Sequence, residues 1–272
     1  EEWWPEGMFA ECARYGFMGL TAPASYGGAD MGYFSAVLVG QAFAKWNPAF
    51  ALSWGAHENL CLNNILRNGT AAQLEKWLPG LCSGERIGAL GLTEPGAGSD
   101  ALEGMRTSAR RDGDEWVLDG RKLYITNGPI ADVLLVYAKT DPAAGAQGIS
   151  AFIVERESPG FAVAQKLTKM GFRGSPTAEL VFDGCRVPAE NLLHVENEGV
   201  AVVMSGLDLE RALIAPICVG MAERALELSI DYARERKQFG RPIASFQMIQ
   251  SKLAGMYTAL ESMRLLAYAT VA

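Results

Sequence analysis

GALGLTEPGAGSDA, residues 88–101, sits where the sequence changes character. It holds glycines at 88, 91, 96 and 98, a proline at 95 and an Asp at 100, but no lysine and no G-x-G-x-x-G spacing. Gly96, Gly98 and Ser99 can bring backbone N–H groups close to an anion, forming a nest that needs no lysine. The same glycines also read as a tight connector between domains. What lies on either side bears on the choice.

Upstream, residues 1–87 read as helical. YFSAVLVGQAFAKW (33–46) is a largely apolar helix, and FALSWGAHENLCLNNILRNG (50–69) is a second, ended by Gly69 as a C-cap. Thr70 and Gln73 fit a capping box that opens AAQLEKWL (71–78). Downstream the period shortens. EWVLDGRKLYITNG (115–128) carries β-formers around Asp119-Gly120, a hairpin signal. DVLLVYAKT (132–140), ISAFIVE (149–155) and AELVFDGC (178–185) read as three further strands, so residues 88–198 are expected to form an antiparallel β domain. From Gly199 the helical period returns, as one long helix or two joined, with a kink expected at Pro216. After a turn at Gly240-Arg241-Pro242, a last helix carries Ile249, Leu253, Met256, Leu260 and Met263 at the spacing of a bundle face. The expected class is α+β, with domains at 1–87, 88–198 and 199–272. The chain begins at Glu1-Glu2-Trp3-Trp4 without an initiator Met and stops at Ala272 inside an apolar helical pattern, so both ends are expected to be cut.

Composition excludes several function classes. The net charge of −7 offers no electrostatic footprint for nucleic acid. No apolar run reaches the roughly 18 residues of a membrane span. Cys12, Cys61, Cys82, Cys185 and Cys218 form no C-x-x-C and read as reduced thiols of a reducing compartment. With only His57 and His194, neither a His-based metal site nor a Ser-His-Asp triad is expected, and no G-x-S-x-G occurs. Both histidines read as structural.

A second signal is KLYITNG (122–128), where an aromatic, a β-branched residue and a Thr precede Asn127-Gly128. It reads either as an edge strand with a turn or as a flat aromatic surface and a hydroxyl offered to a planar cofactor.

Together these motifs resemble the acyl-CoA dehydrogenase family. GLTAPASYGG (19–28), LTEPGAGSD (92–100), KLYITNG (122–128), KLTKMGFRGSPTAELVFDGCRVPAENLL (166–193) and ARERKQFGRPIASFQ (233–247) fall in the family's order. GAHENLC (55–61) and MSGLDLER (204–211) are similar to its isovaleryl branch. The resemblance implies an N-terminal helical domain, a middle β domain and a C-terminal helical bundle of which this chain holds the first part. It implies FAD between the β domain and the bundle, a homotetramer, and electron-transfer flavoprotein as acceptor. The compartment would be the cytoplasm of a bacterium or the mitochondrial matrix.

The resemblance also implies roles. Leu90, Leu92, Thr93, Gly98 and Ser99 would wrap the flavin and its pyrophosphate, with Ser99 also serving the CoA side. Tyr124, Ile125 and Thr126 would flank the ring. Arg236, Phe239 and Gln247 would hold the FAD of a neighbouring subunit; alone, Arg236 inside RERK reads as a solvated helix face. Glu210 would take the α proton of a short or branched acyl-CoA while a hydride leaves the β carbon. The plain reading of Glu210 is a surface glutamate in a charged cluster. Ala146, Gln147, Ala201, Asp208, Leu209 and Arg211 would contact the substrate. The sequence departs from the family pattern at Tyr124, where a Trp is usual, at Ala201, where the isovaleryl branch has Tyr, and at Ala146-Gln147. The competing readings are an acyl-CoA oxidase or flavin monooxygenase on the same scaffold, and a non-catalytic binding or assembly module.

Overall fold

The computed structural model describes residues 3–271, so expectations resting on Glu1, Glu2 and Ala272 lie outside the described residues. Helices come first: α1 (Met8–Arg14), α2 (Tyr33–Trp46) and α3 (Pro48–Gly55). A π-helical stretch, Ala56–Leu62, then runs into α4 (Asn63–Asn68), and α5 follows (Ala71–Cys82). The predicted helix over 50–69 is therefore one rod with a wider turn at its centre. Gly69 stands at its C-cap in an extended conformation (φ −79°, ψ 150°), not the left-handed one a glycine cap suggests. The capping box at Thr70 and Gln73 is present in both directions. The Gln73 amide goes further and donates to the carbonyls of Glu190 and Leu192, docking α5 on the sheet.

The sheet contains β1 (Gly88–Gly91), β2 (Ser108–Asp112), β3 (Glu115–Thr126), β4 (Val133–Lys139), β5 (Ile149–Glu155), β6 (Phe161–Lys166), β7 (Thr177–Pro188) and β8 (Leu192–Leu193). Its order is β6-β7-β3-β2-β4-β5-β8, with β1 added beside β4. It is mixed, not purely antiparallel, because β1 runs parallel to β4 and β2 meets β4 in parallel at one pair. The hairpin expected at Asp119-Gly120 is not there. The chain turns at Gly113-Asp114 between β2 and β3, and Gly113 supplies the positive φ of 63°. Gly120 lies inside β3 at a register break, where a Cβ would sit 2.5 Å from the Thr107 hydroxyl; close approach, not a turn, requires the glycine.

β4 is buried on both faces, as a near-continuous apolar run should be. Val133, Leu135 and Tyr137 pack with Leu62, Ile65, Trp77 and Leu78 of the helical layer. Leu134, Val136 and Ala138 face a second core built around Trp116, Phe152 and Phe182. The C-terminal part is α6 (Gly199–Glu235), a two-strand hairpin of β9 (Lys237–Gln238) and β10 (Arg241–Pro242), and α7 (Gln247–Val271). α6 is one helix that runs continuously through Pro216. It packs on α2, and Leu253, Met256, Leu260 and Met263 of α7 form its inner seam.

Candidate active site

The glycine-rich stretch begins as β1 and is fixed from the helical side. His57 is fully buried; its Nδ1 accepts the Gly88 N–H at 2.9 Å, so its Nε2–H donates to the Leu81 carbonyl at 3.1 Å. Burial keeps this imidazole neutral, lowering its pKa to about 4. Beyond β1 the loop folds on itself, with Glu94 and Ala97 exchanging backbone hydrogen bonds. Glu94 is turned inward and accepts from the N–H groups of Arg106 (2.7 Å) and Thr107 (3.0 Å) and from Lys122 Nζ (2.8 Å). Lys122 is itself fully buried and also donates to the Leu92 carbonyl at 3.1 Å. Burial raises Glu94, but the Lys122 charge and these donors outweigh it and hold the carboxyl below its usual range. Gly96 and Gly98 face open space, where a Cβ would meet no protein atom within 4 Å, so this backbone can be approached from outside.

KLYITNG is the end of β3 that has run past β2, whose pairing stops at Asp119; from Lys122 onward the strand pairs with β7 alone, and on its free side the Leu123 N–H donates to the Thr93 carbonyl. Its register with β7 breaks between Lys122 and Ile125, and Tyr124 inside the break has φ 62°. Such a bulge re-aims side chains. Lys122 and Ile125 go into the protein, and the Tyr124 ring goes out, 67% exposed. Asn127, with φ 64°, closes the segment by donating to the carbonyls of Ser53 (2.8 Å) and Gly88 (3.1 Å). Leu90, Leu92, Thr93, Tyr124, Ile125 and Thr126 thereby line one cavity of about 170 Å³, completed by Ala56 and Leu60 of the π-helical stretch.

A second cavity, of about 70 Å³, shares Ala56, Leu60 and Thr126 with the first. Its walls are otherwise Leu52, Leu213, Ile214 and Ile217, with Gly55 and Asn59, and its one carboxylate is Glu210. Glu210 is only partly accessible, and burial raises its pKa. The opposing influences are a hydrogen bond from Asn64 Nδ2 to Oε1 at 2.7 Å, and the charges of Arg67 and Arg211. A carboxylate of elevated basicity thus lies in a largely apolar slot that shares Ala56, Leu60 and Thr126 with the first cavity.

Residues 1–85, 89–185 and 197–272 match the N-terminal, middle and C-terminal domains of acyl-CoA dehydrogenase. An acyl-CoA dehydrogenase of Bacillus subtilis (strain 168) is 42% identical over 97% of this chain and 69% of its own. The chain belongs to the acyl-CoA dehydrogenase family. The mitochondrial isovaleryl-CoA dehydrogenase of Pongo abelii is 51% identical over 96% of this chain and 62% of its own length. The chain spans about three fifths of the length of such relatives. Butyryl-CoA dehydrogenase from Megasphaera elsdenii superposes with a TM-score of 0.96 at 39% identity, over 99% of this chain and 71% of that one. Acyl-CoA dehydrogenases are flavoproteins.

The remaining predicted residues of this acyl-CoA dehydrogenase chain fall elsewhere. Gly98 and Ser99 lie exposed on the loop beyond the first cavity. Arg236, Phe239 and Gln247 are exposed at the α6–α7 connection, Phe239 almost wholly so, and line neither cavity. Asp208 and Leu209 open on a different groove, with Tyr33, Ala212, Thr270 and Val271. Arg211 is exposed, 3.8 Å from Asp208. Ala201 is exposed in the first turn of α6, and Ala146 and Gln147 lie in a 3₁₀ segment (Pro142–Gly148) packed against α6. Sequence reasoning missed Ala56, Asn59, Leu60, Asn64 and Arg67. The available signal was a run of polar residues in an apolar helix: Glu58, Asn59, Asn63 and Asn64 are all buried. No helix among the described residues is long and apolar enough to cross a membrane.

Proposed function

We propose that this chain carries the site for FAD-dependent α,β-dehydrogenation of a short or branched-chain acyl-CoA, with Glu210 as the acceptor of the α proton. The carrying observation is that the Glu210 slot and the Tyr124–Thr126 cavity share a wall. The first cavity and its open glycine backbone suit a planar ring with a phosphate tail. Leu90, Leu92, Thr93, Tyr124, Ile125 and Thr126 would hold the ring, and Gly98 and Ser99 the pyrophosphate. When bound, FAD supplies the acceptor for the β hydride. An α proton of a thioester is weakly acidic, so its removal needs a carboxylate in reach and in its charged form. Leu52, Leu213, Ile214 and Ile217 give that carboxylate an apolar surround, and the small slot favours a short or branched acyl group.

We assign the CoA portion to Ser99, Ala146, Gln147, Ala201, Asp208, Leu209 and Arg211. Arg236, Phe239 and Gln247 would reach the FAD of a neighbouring subunit in a homotetramer. Exposed apolar side chains on α6 and α7, among them Met221, Leu228, Tyr232, Leu265 and Leu266, support further packing there. Electron-transfer flavoprotein would reoxidise the protein, and segments 1–87, 88–198 and 199–272 would be its domains. Relatives named as mitochondrial or found in a bacterium support either the mitochondrial matrix or bacterial cytoplasm.

The test is anaerobic mixing of the FAD-loaded protein with isovaleryl-CoA. The yellow colour should bleach in the wild type and persist in Glu210→Gln, which should still bind FAD. Bleaching of that variant at the wild-type rate would place the base elsewhere.

A further inference from the structure

A carboxylate in an apolar slot drifts toward its neutral form, in which it cannot take a proton. Something must hold Glu210 charged and aimed. Its direct partner is Asn64 on α4, whose Nδ2 donates both to Glu210 Oε1 (2.7 Å) and to the Leu60 carbonyl (2.8 Å). With the amide so oriented, its Oδ1 faces Arg67, whose Nη2 donates to it at 3.4 Å. The guanidinium is thus linked to the carboxylate through one neutral amide. Its Nε and Nη1 are buried without a hydrogen-bond partner.

The third part is a missing side chain. Gly206 lies one turn before Glu210 on α6. A Cβ there would fall 2.3 Å from Arg67 Nη2, 2.7 Å from Glu210 Oε1 and 2.9 Å from Asn64 Oδ1. All three polar groups converge on the space that one methyl would occupy. The other titratable group facing this point is Tyr137 of β4, which is itself beside Cys61 of the π-helical stretch, whose thiol points to the Val133 carbonyl. Both are fully buried and neutral, the phenol and the thiol each pushed up by burial. Arg211, on the helix of Glu210 itself, is solvent-exposed and near Asp208. Arg67 is the cation facing Glu210 from the opposing helix.

We propose that Arg67 is the positioning residue for the proton acceptor, acting through Asn64 and admitted by the absence of a side chain at Gly206. The inference rests on Glu210 being that acceptor. An intermediate amide lets the guanidinium favour the charged carboxylate without pairing with it directly, which would hold it too weakly basic. No atom of Arg67 reacts.

The test compares wild type, Arg67→Gln, Arg67→Lys and Gly206→Ala, each loaded with FAD, in bleaching by isovaleryl-CoA across pH. Arg67→Gln should bind FAD normally but bleach more slowly, with the acid limb of its rate profile moved up by about one pH unit. Arg67→Lys should recover most of that shift, and Gly206→Ala should slow bleaching with the charges unchanged in number. Infrared titration of the Glu210 carboxyl, isolated by subtracting the Glu210→Gln spectrum, should show the same upward shift in Arg67→Gln without FAD. Should Arg67→Gln fail to fold, Asn64→Ala must show both displacements. An unmoved acid limb together with an unmoved carboxyl titration overturns the role of Arg67. If Glu210→Gln also bleaches normally, the acceptor assignment falls with it; if that variant is inert, only the positioning inference does.

Discussion

Tyr124 occupies a left-handed backbone conformation that aromatic residues rarely adopt, and its ring stands away from the sheet. Strain of this kind persists where surrounding structure over-determines it. Here the Lys122–Glu94 pair on one side and Asn127 on the other fix the ends of the segment. Asn tolerates the same backbone without the ring. Tyr124→Asn should therefore leave folding free energy within about 0.5 kcal/mol while weakening FAD binding about three- to tenfold; denaturant melts and flavin titration check the two halves. Unchanged FAD affinity would remove Tyr124 from the ring's wall. Six of the residues lining the Tyr124 cavity were legible in sequence because they sit in or beside two motifs, LTEPGAGSD and KLYITNG; Ala56 and Leu60 were not. Asn64 and Arg67 were not, because a polar residue in a helix shows its burial only once the opposing helix is in place.

Among the elements, the glycine loop depends on one buried ion pair. Removing one partner of such a pair strands the other charge. Lys122→Met should cost about 3–5 kcal/mol, and adding Glu94→Gln should recover part of it; equal losses in the single and double variants would mean that Glu94 is not stranded. The π-helical stretch carries a second device. Glu58 accepts from the N–H groups of Gly19 (2.5 Å) and Leu20 (3.2 Å), and burial raises its pKa to about 7. A carboxyl raised in the folded state binds its proton there first, so its stabilisation is full below about 4.5 and is lost as pH rises to about 7. Its neighbour His57 is depressed to about 4, so its contribution is full above about 6.5 and is lost on acidification toward 4. The two oppose each other between. Glu58→Gln should leave the His57 dependence uncovered, and its stability relative to wild type should rise by up to roughly 3 kcal/mol between pH 4.5 and 7. A pH-independent difference in denaturant midpoints would contradict this. Helix α2 and strand β5 follow the predicted segments end to end, since apolar pattern and capping act locally. The hairpin at Asp119-Gly120 did not form because the glycine is needed there for the approach of Thr107, a contact between non-neighbouring segments.

At the scale of the whole molecule, β1 sets the arrangement. By running parallel beside β4 it delivers the glycine loop to Thr107 and to Lys122 of β3, and the sheet becomes mixed; strand periodicity carries no information about partner direction. α6 must then pass close to α2 to bring Glu210 to the slot. At Gly220 a Cβ would lie 2.3 Å from the Gln41 carbonyl oxygen and 2.8 Å from the Lys45 nitrogen, so the helices nearly touch. Lys45 clasps Glu223 and Glu227 beside this point, at 2.8 and 2.6 Å. Gly220→Ala should separate the helices and cost about 1–3 kcal/mol, read as a fall in the denaturant midpoint; a neutral effect would mean that this contact yields without cost. The order of helices, sheet and helices was legible from the change in period. The meeting of the two cavities was not, because it joins Thr126 of β3 to Leu60 and Glu210 of two helices far apart in sequence.

The proposed proton acceptor can be examined apart from the proposed hydride transfer. 3,3-Dimethylbutyryl-CoA has α hydrogens but no hydrogen on its β carbon, so only the first half of the proposed reaction is open to it. In deuterated water the FAD-loaded protein should exchange those α hydrogens for deuterium, followed by NMR, and Glu210→Gln should not. Exchange by the variant at the wild-type rate would contradict the assignment of Glu210.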